Sequence, residues 1–335
     1  MKMLFFDYRD SEKDFFNENQ YSDYEITFYE ESLNEFTQLS EKELDETAII
    51  SVYTTSQITD KVLDKFKNLF IITTRSTAYN HIDILACEIR NISVLNVEDY
   101  GKKSVVQYTI GVMISLLRNI VQSYNDLKLD EIKSTYTGKI LSNISVGVIG
   151  TGAIGVEVCK ILNVFGSKIY AYDLIANSQL ADFVEYTTLE NLCKSSDMIT
   201  LHIPSTEETY HILSEKEFLM MKDGVYLINT SHGELIDTKS MYNSLLSGKI
   251  KGLALDTLEC EVLNFNSENI SEQIKEATCD CLSTTVINQK LLTEENVIIT
   301  PHIAYSSKEA INNILYKTFN NIQNFYKGDK RCRVI

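Results

Sequence analysis

The candidates for proton transfer sit at the ends of apolar runs. His302 follows Val297-Ile298-Ile299-Thr300 and Pro301, and an imidazole at such a strand end can donate or accept a proton near neutral pH. Asp256, Glu259 and Glu261 come just after or within a second strand end, the run Gly252 to Asp256 and its loop. One of these carboxylates could orient His302 and raise its pKa by favouring the imidazolium; a solvated acidic loop is the plainer reading of the same residues. A third strand end, Ile228-Asn229-Thr230-Ser231-His232-Gly233, presents His232 before a turn glycine. His202, in Leu201-His202-Ile203-Pro204, reads as a core histidine on an apolar strand, and His81 and His211 fall on polar faces.

A different chemistry is written into Val146-Gly147-Val148-Ile149-Gly150-Thr151-Gly152-Ala153-Ile154-Gly155. A β-branched run feeds Gly-x-Gly-x-x-Gly, and a helix-forming segment, Val156 to Phe165, follows. Gly150 permits the tight strand-to-helix turn, Gly152 lets a pyrophosphate approach bare backbone, and Gly155 lets helix and strand pack closely. The helix N-terminus then offers N–H groups and a positive dipole end to the phosphates. A second strand, Lys168 to Tyr172, ends in Asp173, 18 positions after Gly155, where an acid accepts the adenosine ribose hydroxyls and repels a 2′-phosphate. Strand, glycines, helix, strand and acid in register point to NAD.

Other chemistries are poorly supported. Cys279-Asp280-Cys281, with Cys260 upstream, has the wrong spacing for a structural zinc site and no fourth ligand nearby. No cysteine has a histidine partner in sequence reach. The seven cysteines are odd in number and scattered, which reads as reduced cytosolic thiols rather than a disulfide framework. A net charge of −16 argues against nucleic acid or anionic lipid as partner. No apolar run approaches the ~20 residues of a membrane span, and Met1 to Asp10 offers no signal-peptide core. A cytoplasmic protein is expected.

The 335 residues suggest two domains, at about 150 residues each. Strands are expected at 4–7, 25–30, 48–53, 70–74 and 93–96 and helices at 11–17, 59–68 and 81–89, a first α/β unit with a parallel sheet as the default. A long apolar helix is expected from about Lys102 to Tyr124, bridging the domains, and then an irregular polar segment to Leu141. Strands at 198–203, 225–229, 252–256 and 297–300 alternate with helices near Leu189, Ser214 and Thr238. Asn264 to Leu292 reads as a polar, weakly patterned insertion, and Ser306 to Tyr326 as an amphipathic helix that packs back on the first domain.

Taken together, the stretches Arg75 to Asp83, Asn96 to Tyr100, Gly147 to Gly155, Ser196 to Pro204, Met221 to Gly224, Ile228 to Asp237, Asp256 to Glu261 and Thr300 to Ala304 resemble the D-isomer-specific 2-hydroxyacid dehydrogenase family. The chain is similar to its D-lactate dehydrogenase branch, including the enzymes of vancomycin-resistance clusters, which share a comparable insertion before the final motif. The resemblance implies an α/β fold of two domains with a cleft between them. One is a Rossmann-type doubly wound dinucleotide domain (101–302); the other is a smaller, discontinuous flavodoxin-like substrate domain (1–100 and 303–335). It implies NAD, a small 2-oxo or 2-hydroxy acid, and a homodimer. His302 falls on the family's acid/base, Glu261 on its partner, and Asp256 on the acid near the nicotinamide carboxamide. Gly150, Thr151, Gly152, Ala153, Ile154, Gly155, Asp173, His202, Pro204, Thr230 and Ser231 fall on the cofactor side. Arg75 and Tyr100 match the substrate carboxylate end, with the N–H groups of Thr77 and Ala78 on that carboxylate.

Departures from the family pattern are specific. His232 stands where the family has an arginine that grips the 2-oxo acid carboxylate and polarises its carbonyl. A guanidinium is a planar, always charged fork; imidazole is shorter and donates at most two bonds at divergent angles. Ala78 replaces a glycine, Gln107 a glutamate, and Gly101-Lys102 a Ser-Pro pair. Four readings follow: a protonated His232, with Arg75 or Lys102 sharing the carboxylate, in a weak or acid-favouring reductase; a different substrate; an NAD-binding sensor without useful turnover; or a tolerated change with the chemistry intact.

Overall fold

The computed structural model describes residues 1–18, 21–133, 135–261, 279–329 and 333–335. The chain divides into two compact units, Met1–Gly101 with Ser306–Ile335, and Lys102–Tyr305. In the first, β1 (Lys2–Phe5), β2 (Glu25–Phe28), β3 (Thr47–Val52), β4 (Ile71–Thr74) and β5 (Ser93–Leu95) form a sheet in the order β2-β1-β3-β4-β5, every pair parallel. This is the flavodoxin-like order. The central strands are buried along nearly their whole length, as near-continuous apolar runs in a parallel sheet must be; the edge strand β2 is not. The helices α1 (Lys13–Glu18), α2 (Glu41–Glu46), α3 (Asp60–Leu63) and α4 (Ile84–Ile89) are short. Their starts are set by local caps: Ser40 and Glu43 form a reciprocal capping box, and Asp83 accepts the N–H of Ala86 at 2.9 Å.

The second unit holds β6 (Ser145–Ile149), β7 (Lys168–Tyr172), β8 (Val184–Tyr186), β9 (Met198–Leu201), β10 (Val225–Asn229), β11 (Ile250–Leu255) and β12 (Val297–Ile299). Their order is β12-β11-β10-β9-β6-β7-β8, all parallel. This is a doubly wound Rossmann sheet, and the order reverses at β6, where the glycine motif leaves the sheet. Around it lie α5 (Lys102–Leu117), α6 (Ile120–Lys128), α7 (Gly155–Val164), α8 (Leu189–Ser195), α9 (Glu215–Met220), α10 (Thr238–Leu246) and α11 (Cys279–Leu291). The helix expected over 102–124 is broken. Asn119 takes φ 53° and the axis bends by 62° between α5 and α6, a conformation Asn tolerates better than most residues. Val106, Ile110, Met113 and Leu117 of α5 enter the core on one face of the sheet. No single helix among the described residues is long and apolar enough to cross a membrane. Part of the stretch read as an insertion is α11, which buries Thr285, Asn288 and Leu291; residues 264–278 lie outside the described residues. The last helix, α12 (Lys308–Tyr326), belongs to the first unit, where Ile311, Leu315, Phe319 and Ile322 pack with Met3, Phe5 and Phe15, the spacing of one helical face.

Arg75, expected at the substrate carboxylate end, has its guanidinium wholly buried in the first unit. It stacks on the rings of Phe5 (3.9 Å) and Tyr53 (4.2 Å), donates to Ser51 Oγ (2.8 Å) and to the carbonyls of Phe6 (2.6 Å) and Asp7 (3.2 Å), and pairs with buried Glu12 at 3.5 Å. Burial raises the Glu12 pKa, and the charge of Arg75 opposes that rise. Removing one partner of a buried pair leaves the other uncompensated, so Arg75→Met should destabilise the protein by about 3–5 kcal/mol in urea unfolding. Unchanged stability would contradict this structural role.

Candidate active site

The glycine turn is determined by close contacts. Gly150 leaves β6 at φ +93°, and a Cβ there would lie 2.4 Å from the carbonyl oxygen of His202; at Gly155 it would lie 1.9 Å from that of Gly150. Only glycine fits either position. At Gly152 a Cβ would meet nothing within 4 Å, so open space lies over bare backbone just before the N-terminus of α7, as a pyrophosphate requires. Thr151 is buried, whereas Gly152 and Ala153 are exposed and Ile154 is half-buried.

Asp173, one residue past β7, accepts the N–H of Thr151 (2.6 Å) and its hydroxyl (2.9 Å) on one oxygen, and the N–H of Ile175 (3.2 Å) on the other. Burial opposes its ionisation, but these bonds outweigh burial and hold its pKa below the ordinary value. Beside it Leu174 and Ile175 are 93% and 81% exposed, an apolar shelf that the sequence reading did not single out. The N–H of His202 bonds the carbonyl of Ile149 (2.7 Å), and its Nε2 meets Thr200 Oγ1 at 3.0 Å. Its buried Nδ1 has no partner, and burial pushes its pKa down to about 3. Pro204 is exposed. Bare exposed backbone, an ionised acid and an orphaned ring nitrogen fit a dinucleotide.

The proton-transfer candidates meet across the ends of β11 and β12. His302 Nδ1 lies 3.1 Å from Glu261 Oε2, with the side chains 55% and 37% exposed. The other Glu261 oxygen accepts the N–H of Leu258 at 2.7 Å. The hydrogen bond that His302 donates to Glu261 raises the His302 pKa, burial partly opposes it, and the charges of Glu261, Asp256 and Glu234 add to the rise. Asp256, expected near the nicotinamide, is engaged by the protein itself. It is 2% exposed, and its carboxylate accepts from Thr300 Oγ1 (2.6 Å) and from the N–H groups of Ile303 (2.9 Å) and Ala304 (2.8 Å). Its carbonyl takes the N–H of His302 at 3.0 Å. The carboxylate thus folds the His302 loop over itself.

His232 is exposed at the end of β10. Its loop is fastened beneath it: Thr230 Oγ1 meets Thr109 Oγ1 at 2.9 Å, Ser231 Oγ donates to the Leu201 carbonyl (2.6 Å), and Asn229 Nδ2 donates to the His232 carbonyl (2.7 Å). A Cβ on Gly233 would lie 2.1 Å from the carbonyl carbon of Leu258, so the loops bearing His232 and Glu261 touch backbone to backbone. In the first unit, Thr77 and Ala78 are exposed after β4. Asn96 Nδ2 holds the Thr77 carbonyl (3.0 Å) and Ser76 Oγ the Ala78 carbonyl (2.6 Å). The carbonyl of half-buried Tyr100 accepts from Asn313 Nδ2 at 3.1 Å.

The loop between β11 and Glu261 is also tied from behind. Glu259 accepts from Thr238 Oγ1 (2.8 Å) and pairs with His211 Nε2 (2.8 Å), and its carbonyl takes Asn288 Nδ2 of α11 (2.9 Å). Cys260 and Cys281 form a disulfide with Cα atoms 5.6 Å apart. This corrects the reading of scattered reduced thiols: docking α11 on the loop brings together two cysteines 21 positions apart. Cys87, Cys159 and Cys193 are free and buried.

Residues 110–304 match the family model for D-isomer specific 2-hydroxyacid dehydrogenase, NAD binding domain. The chain belongs to the D-isomer specific 2-hydroxyacid dehydrogenase family. It is 35% identical over 280 residues to an aromatic 2-oxoacid reductase of Clostridium sporogenes, 82% of each chain. It is 37% identical over 286 residues to a D-specific alpha-keto acid dehydrogenase of Enterococcus faecium, again 82% of each. Its fold matches the crystal structure of D-lactate dehydrogenase from Aquifex aeolicus complexed with NAD and lactic acid, with a TM-score of 0.80 and 32% identity over 98% of this chain and 96% of that one. This dehydrogenase therefore falls in the D-lactate dehydrogenase branch, with NAD as its cofactor and the interconversion of 2-oxo and D-2-hydroxy acids as its class of reaction.

Several residues around the site of this dehydrogenase have roles that the sequence reading did not assign. Thr300, Glu259, Tyr108 and the Cys260–Cys281 pair act through contacts with distant segments, and only the acidic cluster hinted at Glu259. The disulfide closes a 21-residue separation, worth about 3 kcal/mol by loop entropy. Dithiothreitol should therefore lower the melting temperature of the wild type and leave that of a Cys260→Ser/Cys281→Ser variant unchanged. Equal responses to reductant would contradict the crosslink.

Proposed function

We propose that this dehydrogenase reduces a small, pyruvate-like 2-oxo acid to the D-2-hydroxy acid with NADH. The observation that carries the reading is the His302–Glu261 contact of 3.1 Å at adjoining strand ends, with the His302 pKa raised first by that hydrogen bond. NADH, when bound, would supply the hydride. His302 keeps its Nδ1 proton on Glu261 and donates from Nε2 to the carbonyl oxygen as alkoxide charge develops there. Glu261 holds the imidazolium, and Leu258 N–H holds Glu261. The backbone from Gly150 to Gly155 takes the pyrophosphate and Asp173 the ribose, with His202, Pro204, Thr230 and Ser231 on the same side. The N–H groups of Thr77 and Ala78 are the proposed donors to the substrate carboxylate, with Tyr100 at that end. His232 contacts the carboxylate or the carbonyl oxygen.

A second reading, an atypical substrate, is favoured by His232 itself. The residue is exposed and shorter than the arginine that the resemblance implies there, so a wider or less carboxylate-dependent ligand suits it better than pyruvate.

The test follows NADH oxidation with a panel of 2-oxo acids across pH. The active form of His302 is the imidazolium, and a raised pKa keeps it protonated to higher pH than a free histidine. Activity should therefore be full at low pH and fall as pH rises through the raised pKa. Glu261→Gln should move that fall to lower pH and reduce kcat/KM at neutral pH about 10²-fold. In the pyruvate arm, His232→Arg should raise kcat/KM about 30-fold or more, the equivalent of about 2 kcal/mol of restored charge pairing. No turnover of any 2-oxo acid, by wild type or by His232→Arg, overturns the reading in favour of an NAD-binding sensor.

A further inference from the structure

Two consecutive residues of α5 reach two different loops. Successive helical residues point about 100° apart, so Tyr108 and Thr109 meet different neighbours. Thr109 is fully buried and touches Thr230, at the base of the His232 loop, at 2.9 Å. Tyr108 is half-buried, and its hydroxyl donates to Thr300 Oγ1 at 2.6 Å. Thr300 Oγ1 in turn donates to Asp256 Oδ1 at 2.6 Å. The chain of donors runs in one direction, from the phenol to the carboxylate, and each bond polarises the next.

The end of that chain is a strained segment. His302 sits at φ +53°, a conformation that costs a non-glycine residue on the order of 1 kcal/mol or more and persists only where its surroundings enforce it. The enforcing contacts are those of Asp256: its carboxylate takes the N–H groups of Ile303 and Ala304, and its carbonyl that of His302. Thr300 is the one side chain in the described structure that donates to the Asp256 carboxylate, and Tyr108 is the group that turns the Thr300 hydroxyl toward it.

We propose that Tyr108 is a positioning residue for His302: through Thr300 and Asp256 it fixes the backbone of residues 300–304, and with it the aim of the imidazole and its contact with Glu261. It does not touch the reacting atoms. The inference rests on the reading of His302 as the proton donor. Without the phenol the Thr300 hydroxyl is free to rotate, Asp256 loses an aligned donor, and the loop relaxes toward an unstrained conformation that carries the ring away from Glu261.

The experiment uses the whole chain in six forms: wild type, Tyr108→Phe, Thr300→Val, Thr300→Ser, the double variant Tyr108→Phe/Thr300→Val, and His302→Gln for assignment. The first readout needs no turnover. Histidine imidazole signals are titrated by NMR, with His302 assigned by its loss in His302→Gln. The charged groups acting on the ring are Glu261, Asp256 and Glu234, and Glu261 is the one whose contact depends on the loop. The His302 pKa should fall in Tyr108→Phe and Thr300→Val, and Thr300→Ser, which keeps the hydroxyl, should recover most of the difference. The second readout is kinetic. Tyr108→Phe should lower kcat about 5- to 50-fold, as expected for a sub-ångström to 1 Å misplacement of the acid, and leave the 2-oxo acid KM and NADH affinity within about twofold. The double variant should be no slower than Thr300→Val alone, because both changes break one chain. A wild-type His302 titration in Tyr108→Phe overturns the proposal, as does a fully additive loss in the double variant. If wild type reduces no 2-oxo acid, the functional reading fails by itself and the titration still decides the role of Tyr108.

Discussion

Asp256 is a carboxylate 2% exposed at the end of a buried strand, and a charge in that position needs hydrogen-bond donors from the protein. Among the described residues its donors come from residues 300–304: one hydroxyl and two backbone N–H groups. They converge only when the chain after β12 curls back with His302 in the left-handed region. The electrostatic demand of one acid therefore dictates the shape of the loop that presents the imidazole. Neighbouring strands β11 and β12 end together in a parallel sheet, which is why an acid from one can organise the loop of the other.

The first unit answers a similar demand differently. Arg75 comes directly after β4, and its charge is compensated by Glu12, by backbone carbonyls at the end of β1 and by two aromatic faces. Such a group adds little net stability compared with an apolar replacement of both partners, but it ties α1's approach, β1, β3 and β4 into one arrangement. The exposed backbone of Thr77 and Ala78 follows two residues later, on a base that this cluster keeps rigid. Both units thus set a buried, charge-compensated group beneath the loop that carries exposed polar groups.

Exposure divides the labour among the charged residues. His302 and Glu261 remain partly open to solvent, so their pairing tunes protonation more than it stabilises the fold. Glu259, two residues earlier, points the opposite way to His211 and Thr238 and fastens the same loop. Asp173 is held by Thr151, whose hydrogen bonds keep its pKa below the ordinary carboxylate value. His232, at the end of β10, is exposed.

What could be read from the amino-acid sequence alone is what depends on near neighbours along the chain. Gly150, Gly152, Gly155 and Asp173 are legible because the turn, the helix start and the next strand follow within 30 residues, and each needs a particular residue type at a fixed spacing. His302, Glu261 and His232 were legible as strand-end residues, and the alternation of strands and helices announced two α/β units. The break at Asn119, the helix α11 and the short strand β8 were not, since weak local patterns settle only against a packed neighbour. Nor was the inward turn of Arg75, because its hydrogen-bond partners lie 24 to 69 positions away. The Tyr108–Thr300 bond spans 192 positions, and Cys260 meets Cys281 only after α11 docks. Strand order decides which distant residues share an edge, and strand order is a property of the packed sheet, where buried area and satisfied polar groups are weighed over the whole unit at once.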